Sequence, residues 1–111
     1  MLNLVIIGAG KGGSSLLNAL LKMSSHVRVL GVADRNPDAP AIALAASHGI
    51  PTTSDYTGLV CLPDVDIIVD ATGQQGLDEE LKRLKWPRAV VIEGMAMNLI
   101  LSFVEESQRL L

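Results

Sequence analysis

Short β-branched runs alternate with longer helical patterns along the 111 residues of the chain. Leu2 to Ile7 is an apolar-rich run ending at Gly8, as expected of a strand covered on both faces. Lys11 to Met23 predicts a helix with Leu16, Leu17, Leu20 and Leu21 on one face. Val27 to Ala33 reads as a second strand, ending at Asp34. Asn36, Pro37 and Asp38 break the chain and start a helix through Ile42, Leu44 and Ala45 that stops at Gly49. Ile50 to Thr53 is at most a short third strand. Asp55 then caps a brief helix through Leu59 and Val60. Pro63 to Asp66 lead into a fourth strand, Ile67 to Val69, ending at Asp70, Ala71 and Thr72. Gly76 to Leu84 reads as a polar surface helix, ended by Trp86 and Pro87. Ala89 to Ile92 is the fifth strand, ending at Glu93 and Gly94. A final helix is expected from about Ala96 onward.

The order is therefore βαβαβαβαβα. Such alternation predicts an α/β fold, a doubly wound parallel sheet with helices on both faces. Right-handed crossovers leave few topologies, and 3-2-1-4-5 is the order expected for the five strands. The length fits one domain, 1–111, with no repeat or linker and no strands left over for a substrate domain.

Composition refines this picture. Hydrophobic residues make up 49% and aromatic residues 3%, so the core must be aliphatic. The net charge of -3 and the lack of any basic run argue against a nucleic-acid partner. No apolar run is long enough to span a bilayer, and none resembles a signal peptide, so no membrane partner and a cytoplasmic location are expected. The lone Cys61 cannot form an internal disulfide and is expected to be a small buried apolar group.

The first βα turn reads Gly8-Ala9-Gly10-Lys11-Gly12-Gly13, a G-x-G-x-x-G pattern. Gly8 would permit the tight turn, Gly10 the approach of a pyrophosphate to the backbone, and Gly13 close helix–sheet packing. Lys11 and Gly12 lie inside the turn, and the helix that follows would aim its free amides at phosphates. Asp34 ends the second strand 21 residues after Gly13, where a carboxylate accepts hydrogen bonds from adenosine ribose hydroxyls. Together these predict a Rossmann-type dinucleotide site. Asp34 favours NAD(H), whereas Arg35 leaves NADP(H) open by offering a partner to a 2′-phosphate or a surface to adenine. Ala71, Thr72 and Gly73, after the fourth strand, are placed near the nicotinamide ribose. Asp70 is either a cap or a site residue. Gln74-Gln75-Gly76 reads as a surface loop that could flank the same crevice.

Other chemistries fit less well. Lys11 is not where a P-loop needs its lysine. His26 and His48 have no partners at metal-ligand spacing, so no metal site is expected. His48 suits a helix C-terminus. No nucleophile–base set stands out, and no catalytic residue is assigned.

The glycine pattern, Val32-Ala33-Asp34-Arg35-Asn36-Pro37, the stretch from Ala45 to Pro51, and Asp70-Ala71-Thr72 together resemble the N-terminal NAD(P)-binding domain of glucose–fructose oxidoreductase-type (Gfo/Idh/MocA) dehydrogenases. The resemblance runs through the fifth strand. It implies that Gly8, Gly10 and Gly13 hold the pyrophosphate, and that Asp34 and Arg35 lie by the adenosine. It also implies that Ala71 and Thr72 lie along the cofactor. That family usually carries a Glu-Lys-Pro-like segment next, whose lysine helps catalysis. This chain has Glu93-Gly94-Met95, so the ammonium is missing. The chain is also similar to small Rossmann modules of some bacterial sensor kinases and sigma-54 regulators.

On the last helix, Met97, Leu101, Val104, Gln108 and Leu111 form one stripe, widened by Leu99, Ile100, Phe103 and Leu110. The excess apolar surface suits a neighbouring domain or a homodimer, while simple docking on the sheet remains the alternative. The sequence thus points to an NAD(P)-binding module without chemistry of its own, a sensory or regulatory part of a larger protein. The alternative is the cofactor-binding half of an NAD(P)-dependent oxidoreductase.

Overall fold

The structure is a computed structural model that describes the backbone of residues 1–109 and side chains through Phe103 and at Glu106. Five parallel strands form one sheet in the order β3-β2-β1-β4-β5. They are β1 Leu2–Ile7, β2 Val27–Ala33, β3 Thr52–Thr53, β4 Ile67–Asp70 and β5 Val90–Glu93. The helices are α1 Lys11–Leu21, α2 Pro40–Ser47, α3 Thr57–Val60, α4 Leu77–Leu84 and α5 Gly94–Arg109. The doubly wound sheet and its strand order match the expectation from the sequence.

The alternation of β1 explains the two layers. Leu4 and Ile6 pack in one buried cluster with Leu16, Leu17 and Leu20 of α1, Ala41 and Ala45 of α2, and Met97 and Leu101 of α5. Val5 and Ile7 pack on the other face with Val60 of α3 and Leu77 and Leu81 of α4. Successive side chains of a strand leave opposite faces, so one apolar run supplies both cores. Ala41 and Ala45 are fully buried. Small side chains there let α2 lie close to α1.

Several boundaries differ from expectation. α2 begins at Pro40, not at Asn36 to Asp38. Those residues form turns instead: the Asn36 side chain accepts from the Asp38 amide, and Asn36 O accepts from the Ala39 amide. Proline at the first helical position lacks only an amide that would have no partner there. α1 ends at Leu21, ahead of Met23. α4 is amphipathic and not simply polar, since Leu77 and Leu81 are buried. α5 starts at Gly94, two positions before Ala96, so β5 passes directly into it. The N-cap of α3 is Tyr56, and Asp55 stands one residue before it, its Oδ1 accepting from the Thr57 amide at 3.0 Å and hydroxyl at 2.8 Å.

Cys61 corrects the sequence reading. It is exposed, with Sγ 3.6 Å from Leu84 O. Val60 turns inward and takes the buried place, leaving the next residue outside. His48 caps the end of α2, with Nδ1 3.1 Å from Leu44 O. Met97 and Leu101 of the terminal stripe are buried, whereas Leu99, Ile100 and Phe103 are exposed. Val104, Gln108, Leu110 and Leu111 lie outside the described side chains. Among the described residues, no helix is long and apolar enough to cross a membrane.

Candidate functional site

All five strands run the same way, so their carboxyl ends share one edge of the sheet. The order reverses between β1 and β4, and the loops on the two sides diverge there to leave a crevice. Two cavities line it. The smaller, about 290 Å³, lies over β1 and β2 and touches Gly8, Gly10, Asp34, Arg35 and Thr72. The larger, about 550 Å³, lies over β4 and β5 and touches Gly12, Asp70, Gly73, Glu93 and Gly94. Ala71 and Gln74 line both, so the two spaces adjoin.

The glycine turn separates three physical demands. Gly8 has φ +103°, and a Cβ there would come within 2.9 Å of the Ala71 carbonyl carbon and the Thr72 amide nitrogen. Its bareness lets the ends of β1 and β4 close on each other. Gly13 is tighter: a Cβ would lie 2.0 Å from Gly8 O. The first turn of α1 rests directly on the strand-end carbonyl. Gly10 is different, since a Cβ there would meet nothing within 4 Å. It faces open space, and packing gives no reason for its being glycine.

Gly10 is also the N-cap of α1, and no side chain caps this helix or places an acid in its first turn. The leading amides of a helix have no intrahelical acceptor. Here those of Lys11, Gly12 and Gly13 stand at the positive end of the helix dipole beside the crevice. The Lys11 side chain is exposed and lines a separate cleft with Ser14 and Asn18. It lines neither crevice cavity. Gly13 likewise lines neither crevice cavity and acts beneath the turn.

Asp34 is half-buried at the end of β2. Its Oδ2 accepts from the Ala9 amide at 2.7 Å, and its Oδ1 from the Asn36 amide at 2.8 Å. One carboxylate thus ties the glycine turn to the loop after β2, a link the sequence reading missed. A carboxylate offers about four acceptor positions, so two remain after these bonds.

Ser54 and Tyr56 were also missed, and both line the smaller cavity with Arg35. The available signal was topological. β3 neighbours β2, so the residues following β3 must fall beside those following β2. The Tyr56 hydroxyl donates to Glu80 Oε2 at 2.6 Å. That bond holds the phenol pKa above its ordinary value, helped by burial and the nearby Glu80 charge and opposed by Arg35.

After β4, Asp70 does not cap a helix, because α4 starts only at Leu77. Its Oδ1 accepts from the Thr72 amide at 3.0 Å and hydroxyl at 2.7 Å. The same hydroxyl oxygen accepts from the Gln74 amide at 3.0 Å. This chain of turns shapes Ala71 to Gln74 along the crevice floor. Gln74, Gln75 and Gly76 line the larger cavity, so the loop is part of the crevice wall. Gly94 fits close to β4, its would-be Cβ 3.3 Å from Asp70 O. Among the described residues, no three His, Cys, Asp or Glu side chains cluster to hold a metal ion.

Residues 8–93 match the family described as the NAD-binding domain of homoserine dehydrogenase. The chain belongs to that family. It is 37% identical over 73 residues to acetaldehyde dehydrogenase 2 of Nocardioides sp., a match covering 62% of this chain and 23% of that one. It is 35% identical over 71 residues to acetaldehyde dehydrogenase of Salinispora tropica, covering 60% and 23%. A homoserine dehydrogenase from Thiobacillus denitrificans superposes with a TM-score of 0.66 at 25% identity, covering 83% of this chain and 23% of that one. The chain therefore spans about a quarter of the length of these relatives. Phosphoribosylglycinamide formyltransferase of Coxiella burnetii, at 17% identity and a TM-score of 0.55, shares the fold alone. An NAD-binding domain is what the sequence predicted. The family differs from the two that the residues resembled.

Proposed function

We propose that this domain is the cofactor-binding part of an NAD(P)-dependent dehydrogenase, and that it binds the cofactor across the crevice described above. The observation that carries this reading is the glycine turn. It keeps open space at Gly10 beside an uncapped helix N-terminus, and packing does not demand that glycine. A pyrophosphate would take up that space and the amides of Lys11, Gly12 and Gly13. Gly8 and Gly13 would hold the turn in shape beneath it. Asp34 would use its remaining acceptor positions on the adenosine ribose, which favours NAD(H) over NADP(H). Arg35 and Tyr56 would flank the adenine, and Ala71, Thr72 and Gly73 would follow the cofactor toward the larger cavity.

The sensory reading has no support in the relatives, whereas dehydrogenases recur among them. The names of those relatives point to aldehyde or alcohol substrates, and we infer the same class for the protein to which this domain contributes. The bound cofactor supplies the redox chemistry, and the chain's own residues bind and orient it. No residue of this chain is assigned to proton transfer. The exposed Leu99, Ile100 and Phe103 on α5 support contact with an adjacent domain or a second copy. The lone, exposed Cys61 supports a reducing, cytoplasmic setting.

Calorimetric titration of the purified domain with NAD, NADH and NADPH tests the proposal. Saturable binding that disappears in Gly10→Val supports it. Equal affinity in Gly10→Val, with the fold intact by circular dichroism, would overturn it.

A further inference from the structure

The larger cavity has an electrical character that the glycine turn does not explain. Asp70 and Glu93 are register partners on the adjacent strands β4 and β5, so both side chains leave the same face of the sheet. Both line the larger cavity, as does Asp78 from the first turn of α4. No lysine or arginine among the described residues lines it. Lys82 stands 4.0 Å from Asp78 and offsets that charge at the rim. Among the described residues, the Glu93 carboxylate has no ion-pair or hydrogen-bond partner.

Asp70 is the more telling of the two. It is 8% exposed, the one buried charged side chain among the described residues. Thr72 occupies its Oδ1, and no donor among the described residues reaches its Oδ2. Among the described residues, no buried side-chain oxygen lacks a partner, so this Oδ2 must open onto solvent-filled space. The space that Asp70 lines is the larger cavity. A carboxylate held in a mostly dry wall with one oxygen free is placed to meet a positive charge or a donor.

Resting on the cofactor reading above, we propose that Asp70 and Glu93 make the nicotinamide end of the crevice selective for the oxidised cofactor. The two redox forms differ there by one unit of charge. The oxidised ring is a cation and the reduced ring is neutral, while the pyrophosphate and adenosine are the same in both. Carboxylates beside the ring therefore attract only the oxidised form. The positive ends of α1, α4 and α5 open toward this cavity and offset part of the acidic charge. Each contributes about half a charge, so three termini cannot cancel three carboxylates. A domain biased in this way suits a reaction that oxidises its organic substrate and begins from the oxidised cofactor.

The test uses NAD, NADH and ADP-ribose, which lacks the nicotinamide, titrated into wild-type protein, Glu93→Gln and Asp70→Asn. Asp70→Asn keeps an oxygen for Thr72, and Glu93 is exposed, so neither change removes a packing contact. Each variant should move the ratio of NADH to NAD dissociation constants toward NADH by about fivefold to tenfold at low salt. The shift should shrink as salt is added, and ADP-ribose affinity should stay constant. ADP-ribose binding with an unmoved ratio in both variants would overturn this inference and leave the cofactor reading standing. Failure of all three ligands to bind wild-type protein would sink the cofactor reading and this inference with it.

Discussion

Replacing Gly13 by alanine should destabilise the domain even though alanine is the better helix former. Gly13 lies in α1, where glycine costs roughly 1 kcal/mol relative to alanine. A helix seen in isolation would gain that amount. In the folded domain the added Cβ would stand 2.0 Å from Gly8 O and 3.0 Å from Gly8 C. Carbon and oxygen do not approach that closely without a bond, so the atoms must part by more than an ångström. Neither is a flexible side-chain end. One is the carbonyl at the end of β1, and the other belongs to a helix packed through the fully buried Leu17. Overpacking of a rigid core costs about 1–3 kcal/mol and occasionally more, and here it falls on backbone, so the upper part of that range applies. After the propensity gain is subtracted, the net loss is about 1–2 kcal/mol. Chemical denaturation read by circular dichroism should show a lower midpoint with an unchanged slope. The melting temperature should fall by about 4–16 °C for a domain of this size. Gly10→Ala is the control. Gly10 has φ −71° and open space about it, so its stability should match wild type while cofactor affinity falls. A Gly13→Ala protein as stable as wild type would refute the claim that helix and strand touch through this residue.

Asp34→Asn should loosen the glycine turn, because an amide replaces one of the two oxygens accepting from Ala9 and Asn36. A loss of about 1–3 kcal/mol in thermal or chemical melts is expected, with NAD affinity falling more than NADP affinity. The opposite cofactor ranking in titrations would reverse the role given to Asp34. Tyr56 should ionise above its ordinary range, because its hydroxyl donates to Glu80 and the phenolate would sit beside that carboxylate. The folded pKa is raised, so this contribution to stability is complete below about pH 10 and fades as pH rises through the folded pKa. Phenolate absorbance should titrate at lower pH in Glu80→Gln, and an unchanged titration would deny the bond. Asp55 runs the other way: the Thr57 hydroxyl and amide hold its pKa below the usual carboxylate value. Its support of α3 is complete above about pH 4 and is lost as pH falls through the lowered pKa. Asp55→Ala should therefore flatten the acid limb of a stability–pH curve.

The sequence alone determined the architecture and half of the crevice. The alternation of apolar runs with helical stripes left little freedom: strands buried on both faces require helices on both faces, and right-handed crossovers set the strand order. Gly8, Gly10, Gly13 and Asp34 were legible because each answers to a local rule at a fixed distance along the chain. What lay beyond reach was every relation between segments far apart in sequence. The bond from Asp34 to Ala9, the pairing of Asp70 with Glu93, and the arrival of Ser54 and Tyr56 beside Arg35 all depend on which strand lies next to which. Cys61 shows the same limit on a smaller scale. Its chemistry suited the interior, but Leu59 and Val60 at the end of the short helix take the inward places, and Cys61 just beyond is left outside. Periodicity says which face of an element is apolar, and only the packed sheet says what that face, or the loop beyond it, will meet.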